Sequence, residues 1–558
     1  MDLRLLTERP SEAERTAVDA VVGPPDQGDG RAVEGGHAAR RRRTLLLPAL
    51  HALQDAVGAI TRGGVAYVSE RLTVPPTDVY GVASFYSLLE VDGGGGPSSH
   101  HCDDIVCGAS DGATGPRDHG SPCLGQCDRR PAVLHHQPGS GYRVEAAGIM
   151  DPGPGDVHQS PEELRLLRRV GVVDPSSLDA YVSSGGFEVL ASARRAEPEG
   201  VIAELRAAGL RGRGGAAFPV AVKWDGVRRA QGTTYVIANG DESEPGAFKD
   251  RMLMEGDPFA IVEALAVFGF ATEADRGFIY VRGEYPIAAD RLEAAVDAAT
   301  SAGLIDLPIE VRRGAGAYIC GEETALFASI EGLRGEPRQK PPFPNEAGVF
   351  GQPTGINNIE TLVAALEALR MGGAAFAAIG TEGSTGPKLF SVSGDVERPG
   401  VYEVPFGTSA RDLLALAGGM REGGSLGAVL LGGAAGVFAG DDALDVPLTF
   451  EHTRAAGLTL GAGAVIFFDD ETDFGWVVRR IARFFREESC GQCVPCRVGT
   501  VRQEEALDRL LADPARRSTE VPLLGDLALA MDDASICGLG RTASWAVRSA
   551  LELGLVGR

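Results

Sequence analysis

Four cysteines near the C-terminus have the type and spacing for redox chemistry: Cys490, Cys493, Cys496 and Cys537. The first three form a C-x2-C-x2-C run. Two-residue spacers let three thiolates on one tight loop face a common centre, and the distant fourth closes the site. That arrangement suits a cubane [4Fe–4S] cluster, which needs four sulfur ligands. Zinc also accepts four cysteines, but its sites usually read as two C-x2-C pairs rather than a triplet with a lone partner. A cluster moves single electrons, so the rest of the chain should contain a place where electrons enter. A second group of four, Cys102, Cys107, Cys123 and Cys127, leaves Cys320 as the one cysteine of nine outside both sets.

Four other stretches carry residue types that bind flat or anionic ligands. Gly209 to Pro219 is dense in glycine, which lets amide N–H groups approach a phosphate, and Arg213 and Lys223 add positive charge. It is not a dinucleotide fingerprint, because Arg211 and Arg213 interrupt the glycines and no strand leads in; nor is it a P-loop. Asn239 to Arg251 follows a strand-like run, which places it on a loop at a strand's C-terminal end, where α/β proteins bind ligands. Its carboxylates Asp241, Glu242 and Glu244, taken alone, read as a solvated acidic turn. Gly314 to Leu326 and Pro337 to Pro344, leading to Thr354 to Thr361, complete the set.

The elements that must position these residues form several domains, since 558 residues exceed one core. A formal charge of −24 argues against nucleic acid, where basic patches are needed. No apolar run reaches a membrane span and no signal peptide is legible, so a cytoplasmic protein with reduced, metal-ligating cysteines is expected. Residues 1–43 are polar and end in Arg40 to Arg43. They read as a disordered tail, with the arginine run a solvated segment rather than a dock for an acidic partner. Residues 44–92 are helical by the spacing of Leu46, Leu50, Leu53 and Val57, with a helix start at Pro75-Pro76-Thr77-Asp78. Gly93 to Gly96 then break the chain, and 146–175 reads as a linker. From 176 to 380 strand runs such as Thr234 to Ala238, Gly277 to Val281 and Leu307 to Val311 alternate with helices, as in an α/β domain. Short β runs with Gly/Pro turns occupy 386–470, and 474–558 is helical and carries the cysteine loop.

These blocks, in this order, resemble the flavin- and NADH-binding subunit of respiratory complex I and of soluble NAD-linked hydrogenases and formate dehydrogenases. The resemblance covers about residues 175–558. It implies a multidomain α/β protein: a Rossmann-like FMN- and NADH-binding domain, a β-grasp domain of the soluble-ligand-binding (SLBB) type, and a C-terminal helical bundle with a [4Fe–4S] cluster. It also implies roles. Gly212, Arg213, Gly214, Gly215 and Lys223 would hold the FMN phosphate and ribityl chain. Asn239, Asp241, Glu242, Asn357 and Asn358 would line the flavin. Phe218 and Phe343 would sandwich the NADH adenine, Glu244 would lie near the nicotinamide and Glu323 near the adenosine ribose. Gly321, Glu322 and Lys340 belong to the same expected cofactor site. A carboxylate at the ribose predicts NAD over NADP. Gly226 departs from the family, which often has an aromatic residue there. Cys320 matches a family cysteine and, by itself, reads as a buried small hydrophobe.

The first cysteine group, with Val79 to Ser87 upstream, resembles the thioredoxin-like [2Fe–2S] subunit of the same complexes. Leu166 to Pro175 resembles the join in natural fusions of the two subunits, as in the diaphorase subunits of hydrogenases and formate dehydrogenases. Here the chain departs from the pattern. Only 15 residues separate Cys107 from Cys123, and Gly93 to Ser99 replace the strand expected before Cys102. A reduced thioredoxin-like region over 93–145 is therefore expected. Its four cysteines favour a [2Fe–2S] cluster over an empty or zinc-loaded remnant, and His100, His101, His135 and His136 read as surface residues, one of which could substitute for a thiolate.

The expected function is an NADH:acceptor oxidoreductase: hydride exchange between NAD(H) and FMN, then single-electron transfer through iron–sulfur clusters to or from a formate dehydrogenase or hydrogenase type partner. The alternatives are a complex I component, a relay or scaffold that has lost its nucleotide site, and a zinc-binding assembly protein.

Overall fold

The structure, a computed structural model, describes residues 8–24, 42–91, 93–108 and 118–556. The first element corrects the expectation of a disordered tail. Glu12–Val22 is a helix whose cap, Ser11, accepts from the Glu14 amide while the Glu14 carboxylate accepts from the Ser11 amide. This reciprocal pair satisfies two amides that the first turn leaves orphaned, and Val18 is buried. Arg40 and Arg41 lie outside the described residues. Arg42 donates to Val22 O, and Arg43 pairs with Asp78 at 3.0 Å, so neither is a free docking charge. Helices Leu46–Val57, Arg62–Leu72 and Pro76–Ala83 follow. Pro76 opens the last at a position where its missing N–H costs nothing.

The cysteine-bearing region that follows is less reduced than its spacing suggests. Strands β1 (Ser98–Cys102), β2 (Asp118–Ser121), β3 (Ala132–Gln137), β4 (Gly141–Ala146) and β5 (Ile149–Met150) form a mixed sheet in the order β2-β1-β3-β4-β5. The strand before Cys102 is present. Its buried face is Ser98, His100 and Cys102, so the period-two pattern is hidden by polar residue types. The expected linker over 146–175 is also corrected. It contributes β5, and Leu164, Leu166, Leu167 and Val170 are buried. The Glu403 carboxylate accepts from the amides of Arg165, Leu166 and Leu167, which fastens this segment to the third sheet.

The second sheet is all parallel: β6 (Tyr235–Gly240), β7 (Arg276–Val281), β8 (Ile309–Arg313) and β9 (Thr354–Asn358), in the order β8-β7-β6-β9. Helices cover it, among them Pro258–Thr272, buried along nearly its whole length, as a parallel sheet requires. The chain steps outward from β6 to β8 and then returns to lay β9 on the other side of β6. Strand order therefore reverses between β6 and β9, and ligands in such sheets bind beyond the strands' C-terminal ends at that switch. The third sheet, β10 (Pro387–Gly394), β11 (Gly400–Pro405), β12 (Leu426–Leu431), β13 (Val437–Ala439) and β14 (Ala464–Asp469), is mixed and has its own core of Phe390, Val392, Leu413, Leu431 and Phe467.

Helices Phe474–Glu487, Val494–Ala512, Arg517–Ala534, Gly538–Thr542 and Trp545–Glu552 close the chain. In the first, Phe474, Val477, Val478, Ile481 and Phe485 form an apolar stripe at helical spacing and are buried. Among the described residues, no helix is long and apolar enough to cross a membrane.

Candidate active site and cysteine centres

A cleft of about 610 Å³ opens where the second sheet's order reverses. Asn239 and Asp241 reach it from the end of β6, Asn357 and Asn358 from the end of β9. The loop Gly212 to Gly215, between helices Glu188–Ala207 and Val220–Arg228, makes the next wall. Gly214 packs tightly there, since a Cβ would sit 3.0 Å from the Asn358 Cβ, and Gly215 needs glycine's freedom at φ +110°. Lys223 closes this side, its Nζ donating to Ile356 O at 2.9 Å. The third sheet supplies the opposite wall through Gly432, Ala435, Gly461 and Ala462.

The acidic turn is not solvated, as it would be in isolation. Asp241 Oδ2 is buried without a hydrogen-bond partner, and burial pushes its carboxyl well above the usual range. The Glu242 carboxylate accepts from the amides of Asp250 and Arg251, and burial raises it to about 7. Glu244 Oε1 accepts from the Ala435 amide at 2.9 Å and Oε2 from Tyr318 Oη–H at 2.8 Å; burial raises this group too to about 7. Glu322 caps helix Glu323–Ile330 by accepting from the amides of Thr324 and Ala325. Lys340 Nζ lies 2.9 Å from Glu322 Oε1 and 2.5 Å from Glu323 Oε1.

Of the cofactor residues expected from the sequence, Gly212, Gly214, Gly215, Phe218, Lys223, Asn239, Asp241, Glu242, Glu244, Gly321, Glu322, Glu323, Lys340, Asn357 and Asn358 line this cleft. Two do not. The Arg213 side chain runs away from it, donating to Thr385 O at 2.8 Å with its guanidinium 4.5 Å from the Phe406 ring centre. Phe343 is 52% exposed and outside the lining. Gly226 leaves space, its hypothetical Cβ meeting only Asn345 Nδ2 at 3.5 Å. Cys320 is buried beside Tyr86, Tyr280 and Ser329. The sequence reading missed Asp250, Tyr318, Thr361, Trp545 and the 459–462 loop. Tyr318 and Thr361 stood within recognised stretches, but the loop carries no motif.

Cys490, Cys493, Cys496 and Cys537 ring a small enclosed hollow together with Ile319, Pro337 and Leu539. Ile319 and Leu539 also line the cleft, so a single layer of side chains separates the two. Glu488, two residues before Cys490, accepts from the Tyr318 amide at 2.9 Å and ties the cysteine loop to the same wall.

The other four cysteines converge despite their short spacer. Cys102 ends β1, Cys107 lies on the turn after it, and Cys123 and Cys127 lie between β2 and β3. The sulfurs of Cys123 and Cys127 are 3.3 Å apart, and the Cys102 thiol hydrogen-bonds with those of Cys107 and Cys123. Hydrogen bonds among these thiols hold Cys123 well below its ordinary range and push Cys102 and Cys127 well above theirs, so the group shares one charge. Asp104 Oδ2 accepts from the Cys123 amide at 2.9 Å; Arg282 donates to Cys123 O at 2.8 Å and to Glu242 O at 2.6 Å. Arg251 Nη2 contacts both Asp128 oxygens at 2.9 and 2.8 Å. The histidines correct another expectation: His100 and His136 are buried rather than on the surface. His136 faces Asp55, His135 faces Glu145, and His100 stacks on His119.

Comparison with known proteins matches this layout. Family models match residues 34–115 (thioredoxin-like [2Fe–2S] ferredoxin), 205–367 (Nuo51 FMN-binding domain), 389–436 (SLBB domain) and 476–553 (NADH-ubiquinone oxidoreductase-F iron-sulfur binding region). An F-type subunit of NADH-quinone oxidoreductase, the second such protein of Rhizobium meliloti (strain 1021), is 40% identical over 380 residues, 66% of this chain and 90% of that one. The chain belongs to the NADH-quinone oxidoreductase F-type family. Another relative, the HndC component of the NADP-reducing hydrogenase of Solidesulfovibrio fructosivorans, is 39% identical over 64% of this chain and 75% of its own. A solved NAD+-reducing [NiFe]-hydrogenase in the H2-reduced state matches with TM-score 0.79 and 31% identity, covering 92% of this chain and 91% of that one. The chain is thus an NADH-linked oxidoreductase with FMN, [4Fe–4S] and [2Fe–2S] cofactors.

The residues present fit these groups. The glycine loop packs closely against Asn358, and the cleft holds a buried Asp241 oxygen that no protein group pairs with. The C-terminal cysteines surround a hollow instead of closing on a point. A hollow ringed by four thiols fits a four-cysteine cluster.

Proposed function

We propose that this chain is the nucleotide-oxidising and -reducing module of a multisubunit complex, and that the cleft holds FMN with the nicotinamide of NAD(H) stacked against it. The observation carrying this reading is the wall shared by cleft and cysteine hollow, Ile319 and Leu539. When bound, FMN supplies the conversion between hydride and single-electron chemistry. The protein's part is positional. The Gly212 to Gly215 loop and Lys223 hold the phosphate end, and Asn239, Asp241, Glu242, Asn357 and Asn358 line the flavin. Phe218 meets the adenine. Glu244, fixed by Tyr318 and Ala435, stands at the nicotinamide. Glu323 faces the adenosine ribose, where its carboxylate favours NAD over NADP; the ammonium of Lys340 beside it tempers that preference. Cys490, Cys493, Cys496 and Cys537 hold the [4Fe–4S] cluster, and Cys102, Cys107, Cys123 and Cys127 the [2Fe–2S] cluster.

The partner we favour is a hydrogenase-type catalytic subunit. The support is the solved NAD+-reducing hydrogenase chain, which parallels 92% of this one with TM-score 0.79. A formate dehydrogenase partner shares the fused layout and is the alternative, and the assembly is placed in the cytoplasm. The test is NADH oxidation with ferricyanide by the anaerobically purified chain reconstituted with FMN. Rapid, FMN-dependent turnover is expected. No turnover with FMN bound would leave a relay or scaffold.

A further inference from the structure

Behind the wall that the third sheet gives the cleft stands a buried lysine. Lys388 on β10 is 1% exposed. Its Nζ lies 2.8 Å from Glu360 Oε2, 2.5 Å from Leu389 O and 3.2 Å from Ala462 O, so all three ammonium protons have acceptors. Glu360 sits in the first turn of helix Ile359–Met371, whose cap Asn358 and following Thr361 line the cleft. The same Glu360 oxygen is 2.9 Å from Lys249 Nζ, and its other oxygen accepts from the Leu389 amide at 2.9 Å. Ala462 belongs to the loop that faces the glycine wall: a Cβ on Gly215 would lie 3.6 Å from the Gly461 carbonyl carbon. There is no slack behind this loop, because a Cβ on Gly463 would fall 2.6 Å from Lys388 Nζ. One ammonium thus holds both walls of the cleft at a set separation.

We infer that Lys388 is a positioning residue that clamps the third sheet's 459–463 loop onto the cofactor cleft, so that retention of FMN depends on the charge of Lys388. This rests on the flavin reading of the cleft. The charged groups around it are Glu360, Lys249, Asp250 and Arg213, and Arg213 leaves Nε and Nη1 unpaired. Burial pushes the Lys388 ammonium down to about 8, with Glu360 opposing and Lys249 and Arg213 reinforcing the shift. Lys249, flanked by Asp250 and Glu360, is instead raised. As pH rises through 8, Lys388 therefore loses its charge while Lys249 keeps its own, and the pull on Glu360 weakens. The FMN phosphate does not confuse the measurement, since its second ionisation near 6 is already complete.

The test is a fluorescence titration of the deflavinated full chain with FMN from pH 7 to 9.5, with the [4Fe–4S] spectrum as a check on folding. Wild type should bind FMN roughly ten-fold more weakly at pH 9 than at pH 7, following the loss of charge. Lys388→Arg, which stays charged, should lose the slope, with its affinity lowered equally at every pH by the larger head group in a site without slack. Lys388→Met should bind weakly and without slope. If Lys388→Met does not fold, the flat profile of Lys388→Arg decides. Wild-type binding that is flat with pH, or a slope that survives in Lys388→Arg, overturns the clamp alone. Wild type that binds no FMN at any pH overturns the flavin reading and the clamp with it.

Discussion

Three of the C-terminal cysteines lie within seven residues, from a loop into the first turn of helix Val494–Ala512, and Cys537 follows on a later turn, whereas the N-terminal cysteines come from the end of β1 and two loops of a mixed sheet. The surroundings differ accordingly. Around Cys490, Cys493, Cys496 and Cys537 the walls are mostly apolar, and two of them, Ile319 and Leu539, are shared with the cofactor cleft. Around Cys123 the neighbours are charged and hydrogen-bonded: Asp104 on its amide, Arg282 on its carbonyl, and Arg251 bidentate to nearby Asp128. A centre built into one loop needs little from the rest of the fold. A centre assembled from two loops needs the domain behind it, and the buried ion pairs show how that domain holds it in place. We expect the first, which shares a wall with the cleft, to carry the main electron path and the second to act as a side centre.

Changes at the cysteines should separate the two sites most strongly. Cys493→Ser should abolish NADH-driven electron delivery to the partner complex while FMN remains bound. Cys123→Ser should remove only the [2Fe–2S] spectrum and leave NADH-driven reduction of the [4Fe–4S] centre intact. If the two variants fail alike, the main-path and side-centre distinction is wrong.

Next in size is the docking of the N-terminal region. Arg251→Met leaves Asp128 as an uncompensated buried charge, which costs about 3–5 kcal/mol. The expected result is a lower thermal midpoint and early loss of the [2Fe–2S] spectrum, with the [4Fe–4S] spectrum persisting to higher temperature. Simultaneous loss of both would mean the centres are not held independently. At the nucleotide end, Glu323→Gln should shrink NAD/NADP discrimination by ~1–3 kcal/mol in kcat/KM. An unchanged NADPH rate would remove Glu323 from the ribose.

The smallest effect concerns pH. Glu244, raised to about 7 by burial, is neutral below that pH and anionic above it. An anion there repels the negatively charged NADH and attracts the cationic ring of NAD+. KM for NADH should therefore rise a few-fold through pH 7 while inhibition by NAD+ tightens, and Glu244→Gln should flatten both profiles.

Motif spacing was enough to single out the cysteine triplet with Cys537 and the glycine loop, because each is a short run whose chemistry is written in neighbouring residues; the asparagines at the ends of β6 and β9 came from the family resemblance. The same reading failed where neighbours mislead. Arg213 looks like a phosphate ligand by position, yet its side chain lies against Phe406 and Thr385 because φ +110° at Gly215 and the contact with Asn358 turn the glycines, not the arginine, towards the cleft. The strand ending at Cys102 was hidden because its buried face is serine, histidine and cysteine. The helix Glu12–Val22 was hidden by the polar residues flanking its few apolar ones. Sequence by itself determined the chemistry available to this protein: which sulfurs, glycines and carboxylates it owns, and their local order. Only the tertiary structure decided that Glu242 of an acidic turn is buried while Asp241 and Glu244 face the cleft, that Ile319 and Leu539 stand between cleft and cluster site, and that a buried lysine of the third sheet bonds both Glu360 and the 459–463 loop. The physical reason is that burial and long-range contact set charge and position, and neither is a property of neighbouring residues along the chain.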